Sequence, residues 1–178
     1  MRFVAIVFIL LVARTHSLKK VMKFYYNDCL VNPKYVVNLT NSFVQDKSTI
    51  SIDVEYDLIL DVRDLEVHTE IFKFKKKEKQ YFVNERFRSC DVFNKMTLPN
   101  LNYFTQKILK ILRNNTNAFV CFNEPGHYYY TNIKFNYHIF LQFLQQGKYK
   151  VGLYTYDRTR KPLAQTSNYT LLFDVVKE

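Results

Sequence analysis

Ile50 to Val62 reads I-S-I-D-V-E-Y-D-L-I-L-D-V. Ile50, Ile52, Val54, Tyr56, Leu58, Leu60 and Val62 recur at a period of two. Ser51, Asp53, Glu55, Asp57 and Asp61 fill the opposite phase, with Ile59 as the exception. That alternation predicts a strand with one face in a core and an acidic face in water. Leu65, Val67, Thr69 and Ile71 start the next strand on one face. The short Arg63-Asp64 connection predicts an antiparallel hairpin between the two.

Working outward, the same period returns on both sides. Leu18 to Asp28 predicts a first strand that stops at Asn27-Asp28, and Tyr35 to Phe43 a second. Asp46-Lys47-Ser48 marks a turn. Gln80 to Ser89 predicts a strand that leads into Cys90. After Pro125-Gly126, Tyr129, Thr131, Ile133, Phe135, Tyr137 and Ile139 alternate. Tyr149, Val151, Leu153 and Thr155 follow the turn at Gln145-Gln146-Gly147, and Tyr169, Leu171, Phe173 and Val175 close the chain. One segment has helical spacing instead. Leu101, Phe104, Ile108, Ile111 and Leu112 recur every three to four residues. Pro99 suits its first turn, and Asn114-Asn115-Thr116-Asn117 stops it. The fold class is mainly β: an antiparallel, immunoglobulin-like sandwich of about seven or eight strands with one inserted amphipathic helix.

The first residues stand apart. Met1-Arg2, an apolar run from Phe3 to Ala13, and Thr15-His16-Ser17 have the layout of a secretory leader cleaved after Ser17. The run is short of the roughly 20 residues that span a bilayer. The expected organisation is a leader at 1–17 and one domain at 18–178. Secretion gives meaning to three N-x-S/T sequons, at Asn38, Asn114 and Asn168, as glycan sites. It also places Cys29, Cys90 and Cys121 in an oxidising compartment, where two pair and one is left over.

The chain has a net charge of +10, of which Arg2 and Arg14 in the leader supply two. A basic secreted protein meets anionic lipid headgroups, glycans or cell surfaces rather than nucleic acid. Lys73 to Lys79, K-F-K-K-K-E-K, reads as a basic hairpin tip. Lys75, Lys76 and Lys77 there either touch an anionic membrane or receptor, or form a solvated turn that resists edge pairing.

Nothing in the sequence arranges a nucleophile with a base. His68, His127 and His138 lie outside any catalytic or metal motif. Asp53, Glu55 and Asp57 share a strand face but lack the Gly and Asn of a calcium loop and the cleft of a glycosidase. The expectation is therefore no enzyme, no cofactor and no metal. The unusual feature is aromatic content: Phe 16, Tyr 14 and Trp 0. These rings either pack a solid core or line an apolar pocket between splayed sheets. Phe104 and Ile108 on the helix, with Tyr129, Phe135, Tyr137 and Leu153 on strands, are the candidates to line it. The first case describes a module that acts through its surface on a receptor or partner. The second describes a carrier of an apolar small molecule or lipid.

Four segments, in order, carry a resemblance: F-Y-Y-N-D-C ending at Cys29, F-R-S-C ending at Cys90, C-F-N-E-P-G-H-Y-Y-Y-T-N-I-K-F from Cys121, and F-L-Q-Q-G-K-Y-K-V-G-L-Y-T-Y from Phe143. With the helix between them, they resemble the insect family of small secreted proteins that includes the chemosensory CheB proteins. That family is distantly similar to the ganglioside-activator and lipid-recognition (ML) sandwiches. The resemblance implies a secreted sandwich that binds a hydrophobic or lipid-like ligand in chemical sensing. Family members commonly carry a second cysteine soon after the first, and Val31 to Phe43 contains none. The resemblance thus implies a Cys90–Cys121 disulfide and a free thiol at Cys29.

Overall fold

A computed structural model describes residues 20–76, 78–94, 103–117 and 123–177, without the side chains of 92–94 and 104. The expected leader, Lys77, Pro99, Leu101 and Cys121 lie outside the described residues.

The chain forms eight strands, β1 (Lys20–Val31), β2 (Val36–Gln45), β3 (Thr49–Leu58), β4 (Leu65–Lys75), β5 (Glu78–Arg88), β6 (Gly126–Asn136), β7 (Gly147–Asp157) and β8 (Ala164–Lys177). Three helices are present among the described residues: α1 (Ser89–Asn94), α2 (Tyr103–Arg113) and α3 (His138–Leu141). The strands make two antiparallel sheets, ordered β1-β8-β7-β4-β5 and β2-β3-β6. The expected β-sandwich is therefore the observed architecture. Of the three helices, only α2 had a periodic signal.

The first correction concerns β3. Ile50, Ile52, Val54 and Leu58 are buried, but the strand ends at Leu58. The consecutive apolar pair Ile59-Leu60 breaks the alternation, and both side chains are exposed. Ile59 instead donates its backbone N–H to the Tyr35 carbonyl at 2.8 Å. Val62 is buried again in an isolated bridge to Asn123. No hairpin joins β3 to β4. β3 pairs with β2 and β6, whereas β4 pairs with β5 and β7. Residues 59–64 carry the chain between layers that pack about 10 Å apart, a distance a two-residue turn does not span.

The second correction concerns β6. Its register against β3 shifts between the pairs Ile52↔Ile133 and Val54↔Tyr130. Asn132 there has φ 56°, and its N–H donates to Asp53 at 2.6 Å. This bulge inverts the phase of the strand. Tyr128 and Tyr130 pack inward before it, and Ile133 and Phe135 after it. One expected face, from Tyr129 through Phe135, is thus split into two. Ile139 lies in α3 and is exposed.

A smaller correction concerns β1, which passes through Asn27-Asp28 because both residues pair with β8. The strand therefore includes Cys29, opposite Tyr169.

Among the described residues the sheets meet closely along one side. β1 and β2 touch, and Gln45 Nε2 donates to the Met22 carbonyl at 3.1 Å. Phe24 lies between Phe43, Tyr137 and Phe173, with ring centroids 5.7, 5.7 and 5.3 Å away. No comparable contact joins β5 to β6. There α2 spans the gap, packed on β6, while Thr105 Oγ1 donates to Glu85 of β5.

Candidate functional site: an apolar cavity between the sheets

β2, β3 and β6 supply one wall, the five strands β1, β8, β7, β4 and β5 the other, and α2 part of the open side. Alternation puts Val151, Leu153 and Thr155 of β7 inward together. From α2, Thr105, Ile108 and Leu112 face in at helical spacing. The cavity has a volume of about 220 Å³. Small-molecule pockets commonly hold about 300–1,000 Å³, so this one suits a slim chain rather than a broad ring system.

Four of the six expected lining residues, Ile108, Phe135, Tyr137 and Leu153, are on the cavity wall. Tyr129 is not. The β6 bulge turns it outward, where it is 39% exposed, and Tyr130 occupies the inward position. Phe104 belongs to α2, but its side chain lies outside the described part of the structure.

Apart from Glu70, the titratable groups of the wall are a thiol and phenols. Cys29 lines the cavity, and burial, reinforced by nearby Asp28, pushes its thiol pKa up to about 11. Burial also raises the phenols of Tyr56, Tyr130 and Tyr169. Tyr169 donates its hydroxyl to Asn27 Oδ1, and Tyr137 donates to the Lys47 carbonyl at 2.7 Å. Among the described residues no lysine, arginine or histidine lines the cavity. Glu70 reaches the wall beside Gly152, but its carboxylate is on the outer phase of β4, where it accepts from Tyr154 and pairs with Lys150 at 3.4 Å. A side chain at Gly152 would collide with that arrangement, since a Cβ would sit 2.7 Å from the Tyr154 ring and 2.9 Å from Glu70.

Two polar atoms of the wall have no hydrogen-bond partner among the described residues: Thr69 Oγ1 and Asn123 Oδ1, both on residues 5% exposed. Neither was singled out from sequence. A threonine in the apolar phase of β4 was the available signal for Thr69; Asn123 had none.

The remaining predicted sites are scattered. Asn38 and Asn114 are exposed, on β2 and just past α2. Asn38 Nδ2 donates to Asp57 at 2.6 Å, and His127 Nδ1 lies 2.9 Å from the same carboxylate. These contacts hold the Asp57 carboxyl below its usual range, the Asn38 bond contributing most. Asp57, like Asp53 with Ser42 and Asn132, thus cross-links β3 to both of its neighbours in the sheet. Asn168 is half-buried on β8, with Oδ1 accepting from Thr170 at 3.1 Å. Cys90 is the second residue of α1 and is half-buried; the expected bridge involves Cys121, outside the described residues. Lys75 and Lys76 are exposed at the β4–β5 hairpin end, beside exposed Phe74 and Tyr81. Among the described residues no helix is long and apolar enough to cross a membrane.

No family model and no curated protein matches the chain.

Proposed function

We propose that this chain is a secreted, glycosylated carrier that holds one slim apolar or lipid-like ligand between its sheets, in the service of chemical sensing. The observation that carries this reading is the 220 Å³ cavity with its almost wholly apolar wall. Burying ten methylenes there contributes roughly 8 kcal/mol at about 0.8 each. Loss of ligand freedom offsets part of that, which places the affinity in the micromolar range or weaker. The competing reading, a surface-acting module, calls for a filled interior, and the cavity favours the carrier over it.

The basic hairpin end supports a second element of the proposal. Lys75, Lys76 and Lys77, with Phe74 and Tyr81, dock the carrier on an anionic membrane. Each lysine near such a surface contributes about 1 kcal/mol.

The test is native mass spectrometry of protein secreted from eukaryotic cells, followed by lipid extraction and displacement of a fluorescent fatty-chain probe. Co-purifying ligand or saturable displacement supports the carrier. A protein that retains nothing and ignores a broad panel of alkyl chains overturns it. Co-sedimentation with phosphatidylserine but not phosphatidylcholine vesicles tests the docking surface; equal behaviour with both rejects it.

A further inference from the structure

We infer that the cavity selects a neutral amphiphile, a long-chain alcohol or a comparably uncharged hydroxyl-bearing chain, over a fatty-acid anion, with the Thr69 hydroxyl as its polar anchor. This rests on the carrier reading and adds the chemical class of the ligand.

Charge gives the first argument. A carboxylate head drawn into an apolar site without a counter-charge is strongly disfavoured, and such a group protonates or stays in water. Among the described residues the wall offers no cation. The carboxyl group that reaches the wall, Glu70, supplies no counter-charge for an anion and is paired with Lys150 on the outer phase of β4. The thiol and phenols on the wall remain protonated at neutral pH, so they provide no charge of either sign.

Unused hydrogen-bonding capacity gives the second. Thr69 is 5% exposed, sits between Val67 and Ile71 in the inward phase of β4, and leaves Oγ1 without a partner. A buried hydroxyl without a partner loses the bonds it had with water in the unfolded chain. A ligand hydroxyl both donates and accepts, so it restores them. Asn123 Oδ1, the other unpartnered atom on the wall, only accepts, and therefore calls for a donor on the ligand. An alkyl halide or hydrocarbon satisfies neither group. An alcohol satisfies either.

The experiment measures displacement of one fluorescent probe from the secreted protein by 1-dodecanol, dodecanoic acid and 1-chlorododecane. At pH 7.5 the acid is about three units above a carboxyl pKa of about 4.3, so only about one molecule in a thousand is neutral. The expected result is that dodecanol binds at least about tenfold tighter than dodecanoate, and that the gap narrows at pH 5. Thr69→Val should weaken dodecanol roughly three- to tenfold and leave chlorododecane unchanged, and Thr69→Ser should restore the alcohol. Dodecanoate binding as tightly as dodecanol at pH 7.5 overturns the inference while leaving the carrier intact. Unchanged dodecanol affinity in Thr69→Val removes the anchor. Binding of none of the three chains overturns the carrier reading itself. The alcohol–acid comparison uses the natural sequence, so it stands even if a variant fails to fold.

Discussion

The two long sides of the sandwich solve the same problem in opposite ways. Along β1 and β2 the sheets meet directly, and Phe24, Phe43, Tyr137 and Phe173 fill the seam ring against ring. Along β5 and β6 they stay apart, and α2 bridges them through Ile108, Leu112 and the Thr105–Glu85 hydrogen bond. Aromatic side chains carry the largest buried area and so fix the closed side. The helical side has less to hold it. The cavity runs between the sheets from Ile108 and Leu112 of α2 to Phe24 and Phe173 at the inner edge of the seam, so its two ends are closed with unequal strength.

The largest effect should come from breaking the closed side. Phe173 is 3% exposed and stacks on Tyr149 at 5.3 Å with planes 7° apart. Phe173→Ala is expected to cost about 3–5 kcal/mol in urea denaturation. Leu112→Ala on the helical side should cost about 2 kcal/mol, the low end for such a truncation, because a short helix can settle into the space left more easily than a strand paired on both sides. Equal losses at the two positions would mean that the two sides are equally packed, and the contrast would fail.

A smaller effect should separate the sides by kinetics. Thr105→Val removes the hydrogen bond that ties α2 to β5, at a cost of about 1–2 kcal/mol. If α2 is the moving part, probe release in stopped-flow should speed up several-fold. Gln45→Ala removes the bond from β2 to the Met22 carbonyl on the closed side and should leave the release rate unchanged. An unchanged rate in Thr105→Val, or a faster one in Gln45→Ala, would place the exit elsewhere.

The contrast also marks where sequence reading stopped. The central faces of β7 and β8 were legible, because Tyr149 to Thr155 and Tyr169 to Val175 keep a period of two; the first five residues of β8, from Ala164, were not, since a register shift follows Thr155. β6 was not, because one residue at Asn132 with φ 56° reverses the phase, and nothing in T-N-I announces that its amide will be taken by Asp53. The β3–β4 hairpin failed for a different reason. Short spacing favours a turn, but which sheet receives the next strand depends on the partners of both, and those are non-local. Of the cavity wall, Ile108, Phe135, Tyr137 and Leu153 followed from periodicity alone. Whether the space between them was full could not follow, since a filled and a hollow sandwich need the same alternation.

The finest test of the contrast is chemical and concerns Cys29. It is on β1, the strand of the closed side, yet its thiol faces the cavity beside Tyr56, Tyr130 and Tyr169. Burial raises the thiol pKa to about 11, above its ordinary value of 9.0. The folded state therefore keeps a proton that the unfolded chain gives up first. The stabilisation from that difference is fully present below about pH 9 and is lost as the pH rises towards 11. The buried phenols shift in the same direction, so alkaline unfolding should begin before any of these groups titrates fully. At pH 8 only the thiolate reacts with an aromatic disulfide reagent. Peptide mapping should therefore find Cys29 modified far more slowly in the native protein than in urea, and more slowly still when dodecanol fills the cavity. Native modification at the unfolded rate would mean that water reaches the β1 wall freely, and the closed side would then be no more closed than the one under α2.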